Sequence, residues 1–478
     1  MLACAALLTG EALATADDPS HCVIWGGLGL AAYAWGLLCL VGSRWPALGL
    51  ASWKLGPWTL VWCGAAFGLA TLTWSQPQSG TALQISLPSV LKALWLVAGG
   101  LTAWTAGYLM GPGQMARRVA SRVVTAMGRS FGPSVRGPLT PWCLYAVGVC
   151  ARLGAAATTG LVGYVGDPSS AVSTASGYGE ALSLLSLCAP LAVAAAALQV
   201  YRERLPGARI TMYVLFGIEL AFGAAAGGKQ NFIIAVLAVL IPRSGVRLRL
   251  PKPAVIVAIL IFLVVIIPFN QAYRDVARGG SDTLTARQAI TQAPSILSQA
   301  VTSESPIKAV PGSVDYLLLR IREIDSPAII VQRTPTQIGY LSSTQLVTGP
   351  LAGFVPRAIW KNKPILASGY QLNQEYYGLP SDLYTSAAVT PLGDLYRHGG
   401  WVPVIVGMLL LGCGVRLVDE VLDIQANPQA VFLLLLLFPV IVKGEEDWTN
   451  ILASIPATLL LWLFAVACTF KRRGHAHG

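Results

Sequence analysis

Apolar runs close to bilayer-spanning length recur along this chain, and nothing else constrains its fold as strongly. They lie near residues 22–41, 56–74, 88–110, 139–163, 178–200, 210–227, 231–242, 254–270, 400–415, 429–443 and 450–470. A bilayer core takes about 20 apolar residues per helix, so the pattern predicts eleven spans. Residues 1–15 are a candidate twelfth. They are short, contain Glu11 and lack a basic leading region, which makes a secretory signal a poor reading. The run 231–242 is short for a span, and with 210–227 it predicts a hairpin with Gly227-Gly228-Lys229-Gln230 at its tip. Hydrophobic residues make up 54% of the chain and charged residues 12%, against about 25% charged in an average soluble domain. That balance excludes a soluble enzyme, a disordered chain and a disulfide scaffold. The predicted fold class is all-α: a polytopic membrane helix bundle of about 11–12 transmembrane helices, with one large outward-facing helical loop.

The basic residues orient these spans. Arg117, Arg118, Arg122, Arg129 and Arg136 crowd one loop, and Arg202, Arg204 and Arg209 mark another. Arg243, Arg247, Arg249 and Lys252 mark a third, and Lys471, Arg472 and Arg473 come near the end. With eleven spans all four groups fall on one side, joined by Arg44 and Lys54, and the positive-inside rule makes that side cytoplasmic. The expected organisation is an N-terminal bundle over 1–270, an extracytoplasmic loop over 271–399, and C-terminal spans with a basic cytoplasmic tail over 400–478. A multi-pass protein of the plasma (inner) membrane follows, with the lipid bilayer as partner and no nucleic acid.

The loop breaks the charge pattern. It holds Arg274, Arg278, Arg287, Lys308, Arg320, Arg322, Arg333, Arg357, Lys361, Lys363 and Arg397, beside nine acids. A long translocated segment can escape the orientation rule. A solvated surface is one reading, and anion binding by the cluster is the other. The nine cysteines are scattered, nearly all inside apolar runs, with no CxxC pair. They read as small apolar packing residues. The four histidines give no metal-site spacing, so neither metal nor cofactor is expected.

Within the loop, residues 283–302 suit a surface helix. Residues 313–325 place Val314, Leu317, Leu318, Ile321 and Ile324 on one helical stripe. Arg320 and Arg322 border that stripe, so each is expected to bury its stem and send its guanidinium out of the seam. Ser326-Pro327 then suits a helix start. In Pro356-Arg357-Ala358-Ile359-Trp360-Lys361-Asn362-Lys363-Pro364, two prolines bracket three cations and a Trp. Such a rigid stretch could hold a diphosphate, Arg binding it bidentately and Lys as a point charge. Trp360 could rest on a sugar or a headgroup; an interfacial anchor is the alternative. Gly393-Asp394-Leu395-Tyr396 places a carboxylate and a phenol at the entrance of a span. The Asp either orients an acceptor hydroxyl or caps a turn. Within the apolar runs, Arg152 and Glu219 sit at similar depth and form a candidate intramembrane pair.

The order Gly228-Lys229, Tyr273-Arg274, Pro356-Arg357-x-x-Trp360-x-x-Lys363-Pro364 and Gly393-Asp394-Leu395-Tyr396-Arg397-His398-Gly399 resembles that of bacterial oligosaccharide repeat-unit polymerases, the O-antigen polymerase-like family. Lys229 stands where those proteins usually carry Arg. The motif resemblance covers about residues 220–420, and before that it is topological. It implies a metal-independent membrane glycosyltransferase that polymerises lipid-linked repeat units into a surface polysaccharide or exopolysaccharide. The donor would be a glycan on undecaprenyl diphosphate, and the acceptor hydroxyl of a second lipid-linked unit would attack its anomeric carbon. Arg357 and Arg320 are the residues expected at the diphosphate, with Arg322, Lys363, Lys361, Arg274, Lys229 and Arg397 as further substrate contacts. Asp394 is expected to orient or deprotonate the acceptor, and Tyr396 and Trp360 to contact sugar. Other polysaccharide-assembly proteins are candidate partners. A flippase or transporter and a ligase of the same broad class are the alternatives. A metal-dependent polyprenol-phosphate-sugar transferase would want paired acids in a long first outer loop, where only the short Asp17-Asp18 stretch is found.

Overall fold

Two glycines bring the helices Leu87–Met110 and Trp401–Val421 into backbone contact. A Cβ on Gly107 would sit 2.0 Å from the Leu409 carbonyl oxygen, and one on Gly412 would sit 2.0 Å from that of Trp104. Small residues at a crossing let two helix backbones approach this closely. Cys413 Sγ uses the proximity to donate to the Gly107 carbonyl at 3.2 Å.

A computed structural model of the protein describes residues 19–44, 50, 53–75, 84–159, 177–226, 229–247, 251–269, 306–355, 360, 368–380 and 387–472. In chain order, α1 is Pro19–Arg44 and α2 is Leu55–Cys63, continuing through a π turn (Gly64–Gly68) and a tighter turn (Leu69–Ser75). α3 is Leu87–Met110, α4 Gln114–Ser130, β1 Phe131–Val135 and α5 Thr140–Thr159. α6 joins Gly177–Ser186, Cys188–Leu198 and Gln199–Glu203, followed by α7, Ala208–Ala225, α8, Lys229–Arg247, and α9, Lys252–Ile261 with Phe262–Ile266. Then come α10 (Pro306–Arg320), α11 (Asp325–Arg333), α12 (Gln345–Ala352), α13 (Ser368–Tyr377) and α14 (Pro391–Arg397). α15 (Trp401–Val421), α16 (Ala430–Ile441), α17 (Trp448–Thr469) and β2 (Phe470–Arg472) complete the order.

Among the described residues, each of the eleven apolar runs is mostly helical. Six helices are long and apolar enough to cross a membrane: Val23–Ser43, Leu55–Trp74, Leu87–Met110, Gly179–Glu203, Trp401–Val421 and Trp448–Thr469. Gln230–Val246, Val255–Phe269 and Ala430–Ile441 are apolar but shorter. A mostly helical bundle compatible with a multi-pass membrane protein results, with six such helices among the described residues where the sequence predicted eleven or twelve spans. The run 231–242 lies within a longer helix, Lys229–Arg247, which accommodates Pro242 in its last turns.

One two-stranded ribbon accompanies the helices of the described residues. β1 pairs antiparallel with β2, which draws Lys471 and Arg472 out of the expected basic tail and into a strand. Arg136 reinforces this junction. Its backbone N–H donates to the Thr469 carbonyl at 2.9 Å, and its side chain donates to the Phe470 carbonyl at 2.9 Å and that of Ala467 at 2.5 Å. A cation there also complements the carbonyl end of α17.

The described part of the predicted loop lies against one end of the bundle. α11 packs on α3 and α14, α12 packs on α17, and α14 packs on α15 and α17. The structure corrects two local expectations. The helix predicted over 313–325 ends at Arg320, and Ile321–Ile324 leave the helical path. The reason is tertiary: the Glu323 N–H reaches the Ala66 carbonyl, within the π turn of α2, at 3.2 Å. The next helix then begins at Asp325, and the Ser326 hydroxyl donates to the Val389 carbonyl at 2.9 Å instead of capping the helix start. The helix expected over 283–302 lies outside the described residues.

Candidate functional site: a buried carboxylate at the covered end

Thr390 starts the site. It sits at φ +60°, buried, immediately before Pro391. Its hydroxyl accepts the Gly393 N–H at 3.2 Å, so Thr390 caps α14 while Pro391 occupies the first helical position, where a missing N–H costs nothing. Gly393-Asp394-Leu395-Tyr396, for which a turn capped by the Asp was one of two readings, is part of a short helix. α14 packs closely on α11 here: a Cβ on Gly393 would meet Ile330 Cδ1 at 2.8 Å and displace that side chain.

The helix turns Asp394 fully inward, at 0% exposure. Arg397, one turn on, contacts Asp394 Oδ1 through Nε and Nη2, both at 2.8 Å. His398 Nδ1 lies 2.8 Å from the Asp394 carbonyl oxygen and 3.7 Å from Oδ1. Asp394 Oδ2 is also buried and has no hydrogen-bond partner among the described residues. Burial pushes the carboxyl above the ordinary aspartate range. The Arg397 guanidinium pulls it back down, nearby Asp447 pushes it further up, and His398 pulls it down.

Asp447 comes from the loop between α16 and α17. Its Oδ1 accepts the Asn450 N–H at 2.8 Å and so caps α17, and Oδ2 accepts from Asn450 Nδ2 at 2.7 Å and from the Ser368 hydroxyl. Beside it, Glu446 is raised by burial and by the neighbouring Asp447. Glu323, 5% exposed, is raised well above the ordinary glutamate range, first by burial and then by Glu445, against the downward pull of Lys443. The site thus gathers acids from three separate segments. Glu323 and the run Glu445-Glu446-Asp447 were missed in the sequence reading. Three consecutive acids between two apolar runs, in a chain with 22 acids in all, were the available signal.

The expected cations divide. Arg320 closes α10 and is exposed. Arg322 does not reach out of the seam. It is buried, donating to Asp325 Oδ2 at 2.8 Å and to the Thr73 hydroxyl at 3.1 Å, with its guanidinium 5.0 Å from the Trp74 ring centroid. Departure from the helix at Ile321 is what turns it inward. Arg397 is buried on Asp394, Trp360 is exposed, and Tyr396 is half-buried. Lys229 opens α8. Arg274, Arg357, Lys361 and Lys363 lie outside the described residues.

Arg152 and Glu219 meet on α5 and α7. Nη1 and Nη2 of Arg152 reach Oε1 and Oε2 of Glu219 at 2.6 and 2.8 Å. Tyr145 donates to Oε1 at 2.9 Å, and the guanidinium lies 4.1 Å from the Phe222 ring centroid. Below α14, a narrow apolar cavity of roughly 30 Å³ is lined by Cys63, Phe67, Trp104, Leu392, Met408 and Gly444, among others. Among the described residues no three His, Cys, Asp or Glu side chains gather at metal-ligand spacing.

No curated protein and no solved structure matches the chain. A family model does match, over residues 162–423, from ahead of α6 to just past α15, and so takes in all of α14. That is more than half of the sequence, and the chain belongs to this family, which is described as a domain of unknown function, DUF8712.

Proposed function

We propose that this protein is a glycosyltransferase of the plasma (inner) membrane that polymerises lipid-diphosphate-linked oligosaccharide repeat units, with the 271–399 segment extracytoplasmic and the C-terminus cytoplasmic. The observation that carries the reading is Asp394, a buried carboxylate with one oxygen fixed by Arg397 and the other without a partner among the described residues. In this reading the acceptor hydroxyl gives its proton to Oδ2 as its oxygen bonds to the anomeric carbon. The bond from that carbon to the undecaprenyl diphosphate breaks, and the diphosphate leaves with the electron pair. Arg357 and Arg320 meet the charge that develops on it, helped by Lys361, Lys363, Arg274 and Lys229. Preorganised cations act most strongly where charge appears only in the transition state. Trp360 and Tyr396 contact sugar. Arg322 and Arg397 are positioning residues, because their guanidinia are committed to Asp325 and Asp394.

The test is purified protein in bilayers with a lipid-diphosphate-linked repeat unit, followed by a glycan ladder on a gel. Longer products from the wild type and none from Asp394→Asn support the reading. Full-length polymer from the variant overturns the role of Asp394.

A flippase or transporter is the second reading, favoured by one observation. Glu323 is a buried acid whose backbone N–H reaches the middle of α2, and such groups mark ion or substrate paths within bundles. That activity would move a lipid-linked unit between leaflets without lengthening it.

A further inference from the structure

We infer that α4 is an interfacial helix that lies on the bilayer and binds its anionic phospholipid headgroups. The inference rests on the reading that the bundle spans a membrane. Orientation by positive charge needs only a count of basic residues on one side of a span, and is indifferent to their helical phase. The phase in α4 is ordered. At about 100° per residue, Met115, Ala116 and Val119 fall within one half of the wheel, where the sequence adds Val123 and Met127. Arg118 and Arg122 lie along one border, continued in sequence by Arg129, and Ser121 faces the opposite way. No acid occurs between Met110 and Gly137.

The described apolar residues of this face, Met115, Ala116 and Val119, are uncovered by the protein. Met115 is 81% exposed and Val119 53%. In water this arrangement would leave a run of apolar side chains without contacts, whereas a headgroup layer accepts the apolar face and pairs with the basic border.

The ends of α4 fix where it lies. It starts four residues after α3 stops at Met110. Arg117 Nε is 2.9 Å from Glu420 Oε2, at the last turn of α15, and Glu420 also accepts from Arg416 at 2.7 Å. Its other end runs into β1, which pairs with β2 at the end of α17. Three membrane-length helices finish where α4 is tied, so its roughly 25 Å length lies across their ends. Arg117 is the tether, whereas Arg118 and Arg122 are exposed and carry no ion pair among the described residues.

The experiment uses the full chain in nanodiscs with an environment-sensitive fluorescent amino acid at position 119 or, separately, at position 121. Discs of phosphatidylcholine are compared with discs that also contain phosphatidylglycerol. The expected result in the anionic discs is blue-shifted emission at 119, quenched by lipids brominated on the acyl chain, with emission at 121 quenched by aqueous iodide. The combined Arg118→Gln, Arg122→Gln and Arg129→Gln variant retains Arg117. It should bring the brominated-lipid quenching at 119 down to the level of the uncharged discs. Equal iodide quenching at both positions overturns the proposal. So does a blue shift at 119 that brominated lipid does not quench, because the residue would then be covered by protein. Equal behaviour in the two disc types overturns the anionic specificity. Incorporation of the chain into discs tests the spanning bundle separately.

Discussion

Two buried carboxylates in this molecule each face an arginine, and they differ in what remains of them afterwards. Glu219 is saturated. Both oxygens take an Arg152 nitrogen, one also takes the Tyr145 hydroxyl, and Phe222 covers the guanidinium. Asp394 has one oxygen held by Arg397 and one with no partner among the described residues. A saturated pair joins two helices and leaves nothing to offer a ligand. A half-engaged pair keeps an oriented acceptor at the cost of leaving a desolvated oxygen unsatisfied. Asp419 falls with Glu219: its oxygens accept the Leu55 and Gly56 N–H groups and the Tyr108 hydroxyl, and so cap α2.

Substitution should separate the two pairs most sharply in activity. Asp394→Asn is expected to slow polymerisation by roughly 10²–10⁴-fold, the usual scale for a lost general base, with the protein still folded. Glu219→Gln should leave the rate per folded molecule unchanged, and a loss of rate there would erase the distinction. Stability should divide in the opposite direction. Arg152→Ala strands the Glu219 carboxylate and is expected to cost about 3–5 kcal/mol, read as an unfolding shift in detergent. Removing both partners, as Arg152→Met with Glu219→Gln, should recover most of that loss.

The response to pH should also mark Asp394 apart. As a base, Asp394 works ionised, and burial raises its pKa above the ordinary 3.8. The acid limb of the rate should therefore lie above 3.8, and Arg397→Gln should move it higher by removing a cation that favours the charged form. A limb that stays in place would reduce Arg397 to packing. Glu323 gives a stability counterpart. Its folded pKa lies well above 4.5, so the folded state keeps a proton that the unfolded chain releases. Its contribution is greatest below pH 4.5 and is lost as pH rises toward the folded value. Glu323→Gln should flatten that part of the melting-temperature profile, and an unchanged slope would place the titration elsewhere.

The smallest effect is expected at Thr390. Thr390→Ala keeps the positive φ and loses the cap, for about 1 kcal/mol. Thr390→Gly loses the cap but relieves a conformation that costs a residue with a Cβ about 1–3 kcal/mol. Glycine should therefore be the more stable of the two in thermal unfolding, and the reverse order would mean that the cap outweighs the strain.

Much of the helical framework was legible beforehand, because an apolar run reports a local property. The described part of each run from 22–41 to 450–470 is mostly helical, since helix hydrogen bonds close within the run. The Arg152–Glu219 pair was legible for a related reason: similar depth and opposite sign are readable from position alone. Around Asp394 the sequence showed less. The stripe over 313–325 was correctly periodic to Arg320 and then failed, because a carbonyl of α2 drew Glu323 away. Arg322 and Arg397 read as free cations because their acid partners, three residues away in each case, are also what a solvated surface would contain.

Residue types and their order were enough to establish a helical chain with several membrane-length segments, a cation-rich segment between 271 and 399, and two ionisable groups at matching depth. Hydropathy and charge are additive along the chain, so counting is enough for these. Which cations are spent, which carboxylate oxygen has no partner among the described residues, and that β1 joins the end of α4 to the end of α17 through β2 all follow from tertiary contacts. Burial and hydrogen-bond saturation depend on segments hundreds of residues apart, and no local pattern records which of them will meet.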